Sequence, residues 1–275
     1  MNEQTLECNP TAVRNDVWHY CETGTGRPLV LLHGIGMSHF VWSPVIPHLR
    51  STRQVIAFDT AGFGLTPTLR NGRVPSVANL VDDLEGSLRG IGIKLPVDIA
   101  GNSLGGYMAL EAARRGMARS VVAICPAGLW KDRPAAHVRY VFGAVRFLST
   151  TFPGLSKAAV RVPLLREALF AVPVSVGSMR MSADDAVRVV DDLAISTAFE
   201  ETFEATRFPF SGEDIDVPVT VAFGDRDYIV TKSSRWRHRL PAHTRWFNLH
   251  GWGHVPMWVD PIGVSEMILT GTSKR

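Results

Sequence analysis

The stretch Val97-Asp98-Ile99-Ala100-Gly101-Asn102-Ser103-Leu104-Gly105-Gly106 decides the fold. It opens on a short apolar run, Val97–Ala100, stopped by Gly101. It leads into Ser103–Arg115, a stretch rich in helix formers that ends at Gly116, a residue suited to a helix C-cap. Between the two lies Gly-x-Ser-x-Gly. Glycines two residues either side of a serine let strand and helix pack closely, and the strain of such a turn leaves the hydroxyl exposed. The start of the next helix adds positive potential where an oxyanion would form. The five-residue pattern alone is weak in a chain with 24 glycines; the strand before and the helix after give it weight.

The same alternation extends outward. Asp16–Glu22 has strand composition. Pro28–Leu32 is an apolar run stopped by His33-Gly34, Gln54–Phe58 one stopped by Asp59, and Val121–Cys125 one stopped by Pro126. Continuous apolar strands are buried on both faces, as in a parallel sheet. Ser76–Leu88 carries Val77, Leu80, Val81, Leu84 and Leu88 at helical spacing, with Ser76 placed to cap. Strand, helix, strand in this order predicts a doubly wound, mostly parallel α/β sheet. From about Leu129 to Ser211 only helical periodicity remains, as in Val138, Val141, Phe142, Val145 and Leu148 of Ala135–Leu148. Strand patterns resume at Val217–Phe223 and Arg245–Leu249, and a last helix is expected over Pro261–Leu269. The expected division is a core of 1–128 and 212–275 with a helical cap insertion, 129–211, over the C-terminal edge of the sheet, where open α/β sheets bind ligands.

Three further strand ends carry chemistry. Leu31-Leu32-His33-Gly34-Ile35-Gly36 can turn tightly and aim a backbone N–H at the oxyanion, so the Ile35 and Leu104 amides are the candidate donors. His33, in a tight turn after a strand, reads as a hydrogen-bonded structural histidine rather than a base. Phe223-Gly224-Asp225-Arg226-Asp227 offers two carboxylates able to orient a base, or to serve as turn residues. His250-Gly251-Trp252-Gly253-His254-Val255-Pro256 offers two histidines. His254 lies on the glycine-flanked loop that can bend toward a serine, whereas His250 follows the strand directly. The chain order is Ser, Asp, His.

Bulk properties exclude other classes. With 275 residues, 45% hydrophobic and 20% charged, the chain fits an ordinary globular protein. A net charge of +3 and scattered basic residues speak against a nucleic-acid partner, and Arg235–Arg239 reads as the solvated face of a helix. The three cysteines, Cys8, Cys21 and Cys125, lack metal-ligand spacing; their odd number fits a reducing compartment better than a disulfide framework. Cys125, in an apolar run, is expected to be buried. Met1–Cys8 has no signal-peptide pattern and no segment is apolar enough to span a membrane, so a cytoplasmic location is the expectation.

Over nearly the whole core the chain resembles the α/β-hydrolase superfamily, in its small capped esterase, lactonase and C–C hydrolase branch. The matching motifs are Pro28–Gly34, Asp59-Thr-Ala-Gly62-Phe-Gly64, Gly101–Gly106, Gly224-x-x-Asp227 and Gly253-His-x-Pro256. The resemblance implies Ser103 as nucleophile, Asp227 as acid (three residues after the glycine), and His254 as base (before x-Pro). It also implies Ile35 and Leu104 as oxyanion donors, and neither metal nor cofactor. Haloalkane dehalogenases and epoxide hydrolases of this fold carry aspartate where Ser103 stands. Asn102 resembles the meta-cleavage-product C–C hydrolases, but Val255 stands where those usually carry Trp.

The implied chemistry is hydrolysis of an ester or lactone through an acyl-enzyme, on a small molecule with an apolar part. C–C hydrolysis is the alternative, and a slow-turnover binding protein on the same scaffold, as some hormone receptors are, is the rival from another class. Homo-oligomerisation is left open. The cap sets specificity in such families and matches no pattern here; within it Arg133, Arg139 and Arg146 are candidate anion contacts or, more simply, solvated helix arginines.

Overall fold

The computed structural model describes residues 17–273; Cys8 and Asp16, which the sequence reading used, lie outside them. The chain runs β1 (Tyr20–Thr23), β2 (Arg27–Leu32), α1 (Ile46–Leu49), β3 (Arg53–Phe58), α2 (Val77–Gly90), β4 (Val97–Asn102), α3 (Leu104–Arg114) and β5 (Ala118–Ile124). Five helices follow: α4 (Ala136–Thr151), α5 (Pro153–Arg161), α6 (Pro163–Phe170), α7 (Ala183–Ile195) and α8 (Phe199–Ala205). Then come β6 (Val219–Gly224), β7 (Arg245–Leu249) and α9 (Pro261–Gly271). No strand interrupts the stretch between Ile124 and Val219.

The seven strands form one sheet in the order β1-β3-β2-β4-β5-β6-β7. Every pairing is parallel except that of β1 with β3. The apolar runs of β2 to β6 are buried on both faces, as their continuous hydrophobicity requires, while β7 at the edge is partly exposed. After β2 the chain first adds β3 on one side and then crosses to add β4 on the other. The C-terminal ends of β2 and β4 therefore flank the switch point, where a crevice opens. Ile35 and Ser103 follow those two ends.

Helix α2 is capped as its sequence predicts, with Ser76 Oγ accepting from the Asn79 amide. Two expectations need correction. Residues 235–239 do not form a helical face: short 3-10 turns cover Lys232–Ser234 and Arg237–Arg239. Arg235 is half-buried because its guanidinium finds carbonyl acceptors, Gly224 O at 2.8 Å and Val230 O at 2.9 Å, while stacking 4.4 Å above the Phe223 ring. The odd cysteine count favours a reducing compartment over a disulfide framework, yet Cys21 is disulfide-bonded. Cys125 is free and buried, as its apolar run predicts.

The helices between β5 and β6 bury little compared with the sheet. Leu148, at the end of the predicted apolar stripe of α4, is exposed, as are Tyr140, Leu155 and Leu164. Val138 alone of that stripe is fully buried. Among the described residues no helix is long and apolar enough to cross a membrane.

Candidate active site

Ser103 sits on the turn from β4 into α3 with φ +53° and ψ −113°, a conformation that a non-glycine residue adopts only under constraint. The constraint is the packing of its neighbours. A Cβ on Gly101 would lie 2.1 Å from the Gly105 carbonyl oxygen, and a Cβ on Gly105 would lie 2.1 Å from that of Leu32. Only glycines permit this approach of helix to strand, which explains the spacing in the sequence.

Ser103 Oγ lies 2.9 Å from His254 Nε2, and His254 Nδ1 lies 3.2 Å from Asp227 Oδ2. The three residues are 7%, 3% and 4% exposed. The other Asp227 oxygen, Oδ1, accepts from the Ile229 amide at 2.9 Å and the Val230 amide at 2.8 Å. Burial pushes the Asp227 carboxyl up, but the adjoining His254 and these two amides outweigh it and hold the group below the ordinary carboxylate range. A charged acceptor fixed in this way holds a proton on His254 Nδ1 and leaves Nε2 free to accept from Ser103.

The competing residues form a separate pair. His250 Nδ1 lies 2.7 Å from Asp225 Oδ2 on the surface, and Asp225 Oδ1 accepts from the Gly251 amide. His33 is fully buried, with Nδ1–H donating to Gly34 O at 2.7 Å and Nε2 accepting from the Thr60 amide at 2.9 Å. Burial lowers its pKa, so it is a neutral structural histidine. Ile35 and Leu104 line one cavity with Ser103. Leu104 is the first residue of α3, so its N–H has no acceptor within the helix. Gly34 brings the other loop against the serine: a Cβ there would lie 3.3 Å from Ser103 Cβ.

Residues not singled out by the sequence reading complete the site. The His254 loop is held from the helical segment, with Gly253 N donating to Ser175 Oγ at 3.2 Å and Val255 N to Val174 O at 2.8 Å. Trp130, Phe203 and Arg207 join Phe142 and Val138 around the cavity. No sequence signal marks them, because helical periodicity does not reveal which face meets the sheet edge. Arg133, Arg139 and Arg146 are not in that lining. Arg139 pairs with Glu204, and Arg146 donates to the carbonyls of Leu193, Ala194 and Ser196 at the end of α7.

Two clusters bring three ligand-type atoms within 4.8 Å of one another: His19, His39 and Asp59, and Cys125, Asp227 and His254. In both, histidine Nδ1 atoms already face the carboxylate at 2.8–3.2 Å, so hydrogen bonding accounts for the grouping. Burial also raises the Cys125 thiol pKa well above its ordinary value, which disfavours the thiolate that a metal would need. Asp59, from the motif beginning at that residue, is instead a structural hub. It accepts from His19, His39 and the Leu65 amide.

The arrangement can deprotonate a serine hydroxyl in a largely apolar cavity and offer amides beside it. The model of the alpha/beta hydrolase fold family matches residues 27–261. An epoxide hydrolase, EphH, of Mycobacterium tuberculosis (strain ATCC 25618 / H37Rv) is 34% identical over 203 residues, 70% of this chain and 93% of that protein. A pimeloyl-[acyl-carrier protein] methyl ester esterase of Legionella pneumophila (strain Paris) is 37% identical over 95 residues, 34% of this chain and 35% of its own. The solved enol-lactonase of Burkholderia xenovorans LB400 superposes with a TM-score of 0.70 at 17% identity, covering 93% of this chain and 96% of that one.

Proposed function

Because the chain belongs to the alpha/beta hydrolase fold family, we propose that it hydrolyses a carboxylic ester or lactone through an acyl-enzyme on Ser103. The observation that carries the reading is the continuous Ser103–His254–Asp227 hydrogen-bonded chain, with contacts of 2.9 and 3.2 Å. His254 takes the hydroxyl proton as Ser103 Oγ attacks the carbonyl carbon. Asp227 holds the imidazole tautomer and stabilises the imidazolium. The Ile35 and Leu104 amides receive the oxyanion, and His254 returns the proton to the leaving alkoxide. His254 then activates water, which releases the acid and restores Ser103. The helical segment 129–211 acts as a cap over this site and supplies half of the residues that line the cavity. The substrate is a small molecule with an apolar part, since Trp130, Val138 and Phe142 face the serine across that cavity.

Similarity to a protein named as an epoxide hydrolase does not carry epoxide chemistry to this chain. Attack by a serine hydroxyl on an epoxide carbon would form an ether, which has no carbonyl for water to attack, and the enzyme would stop after one event. Attack on an ester forms a new ester, which turns over. The test is a paired assay: labelling with a fluorophosphonate, and multiple turnover of p-nitrophenyl esters, lactones, styrene oxide and one meta-cleavage product. Labelling at Ser103 with ester or lactone turnover is expected. Labelling without turnover of any of them supports a binding protein, and turnover of the meta-cleavage product alone supports C–C hydrolysis.

A further inference from the structure

Three cavities meet at one side chain of α4. The first, about 50 Å³, holds Ser103. The second, about 40 Å³, lies beside it and is walled by Met37, Phe170, Val189, Val190 and Leu193, with Ser149 of α4. The third is an open surface trough of about 830 Å³ between α4 and α8. The first and second share Ile35 and Phe142; the first and third share Phe142 and Phe203. Phe142 alone lines all three.

We propose that Phe142 is the gate through which an apolar chain passes from the surface trough to Ser103, and that the second chamber receives the end of that chain. This rests on the ester or lactone reading above and specifies its substrate as one carrying an aliphatic chain. Phe142 is partly buried and packs against the core, with its ring centroid 6.0 Å from that of Phe199 and 5.9 Å from that of Phe203 in edge-on contacts. It makes no polar contact that would pin it. Rotation about its side-chain torsions would join chambers that it now divides. At roughly 10–15 Å³ per enclosed water, each chamber has room for a few small groups. The catalytic chamber with the gate shut therefore seats a short acyl group, and longer ones need the second chamber. That chamber is lined almost wholly by apolar side chains, so each methylene placed there should raise kcat/KM about fourfold until the space is filled.

The experiment uses p-nitrophenyl esters from acetate to decanoate with the full chain, Phe142→Ala and Ser149→Leu. The last of these adds bulk to the second chamber from a helix. Phe142→Ala should move the preferred acyl length up by two or more carbons. Ser149→Leu should cut kcat/KM for octanoate about tenfold or more while leaving acetate, and Ser103 labelling by a small fluorophosphonate, within about twofold. Phe142→Leu, the milder change, should shift the profile in the same direction as Phe142→Ala and guards against a variant that does not fold. Ser103→Ala protein binding methyl alkyl ketones, measured by calorimetry, gives the same length profile without turnover. Shifted ketone profiles with no ester hydrolysis by wild type would keep the gate and reject the ester reading. Equal effects on short and long chains, in hydrolysis and ketone binding alike, would overturn the gate.

Discussion

Asn102 Nδ2 donates to the main-chain oxygen of His254 at 2.9 Å, and its second hydrogen goes to Ile124 O at 3.1 Å. The residue before the candidate nucleophile thus ties the loop of the candidate base to the sheet. Asn102 is fully buried, so these bonds are not exchanged with water. Asn102→Ala should lower kcat for an ester about 10- to 100-fold, since misplacing a catalytic group by about 1 Å costs on that order. KM should stay within about threefold, and stability should fall by about 1–3 kcal/mol for the His254 carbonyl left without its donor, since Ile124 O also accepts from the Ser103 amide. Asn102→Asp, which keeps the shape but turns the donor into an acceptor, should be no better. A kcat unchanged in both variants would mean that Ser175 and Val174 hold the loop unaided.

Ser103→Ala should reduce turnover at least about 10³-fold and abolish fluorophosphonate labelling. The protein should remain folded, because the glycine contacts that shape the turn involve backbone atoms of Leu32 and Gly105 rather than the hydroxyl. Far-ultraviolet circular dichroism and a thermal melt check the second half. Residual turnover in preparations free of wild-type protein would remove Ser103 from the mechanism.

Two His–Asp pairs hang from the same two strand ends, and they make opposite predictions. Asp227→Asn should cost on the order of 10³-fold or more through the wrong His254 tautomer, and His254→Ala should cost at least as much. Asp225→Asn and His250→Ala should stay within about threefold, because that pair is exposed and surface ion pairs contribute little. Steady-state kinetics of the four variants rank them; a reversed ranking would exchange the assignments.

The parts of this molecule legible in its sequence are the local ones. The runs around β2 to β6 are continuous and apolar because both faces are covered, so burial and strand identity coincide. Gly101 and Gly105 betray the Ser103 turn because a Cβ at either would strike backbone. Several strand ends drifted by one to three residues, as at β4, where pairing continues through Gly101 to Asn102, beyond the point where apolar character stops. What the sequence hid depends on distant partners. Asp59 reads as a strand terminator, yet His19, His39 and Leu65 converge on it. Arg235 reads as a solvated charge, yet it donates to the carbonyls of Gly224 and Val230. The wall opposite Ser103 comes from helices whose periodicity fixes a face but not what that face meets.

Asp192 on α7 gives the last prediction, on pH. It is buried between the helical segment and the core, where Ser38 Oγ donates to its Oδ2. Burial raises its carboxyl from 3.8 to about 6, and nearby Asp59 adds to this, against the opposing pull of the Ser38 bond, Arg188 and His39. The folded protein therefore favours the neutral acid. The stability it contributes is complete below about pH 4, falls as pH rises, and is lost once pH passes about 6, where folded and unfolded forms are both charged. The full span is roughly 3 kcal/mol. Asp59 and Asp227 act in the opposite sense, since their carboxyls are lowered by folding, so the pH dependence of wild type alone mixes the signs. The comparison with Asp192→Asn cancels them. That variant keeps an acceptor for Ser38 and cannot ionise. In urea unfolding it should match wild type near pH 4 and exceed it by about 1–3 kcal/mol at pH 8. A stability difference constant across that range would show that Asp192 carries no pH-linked cost at this junction.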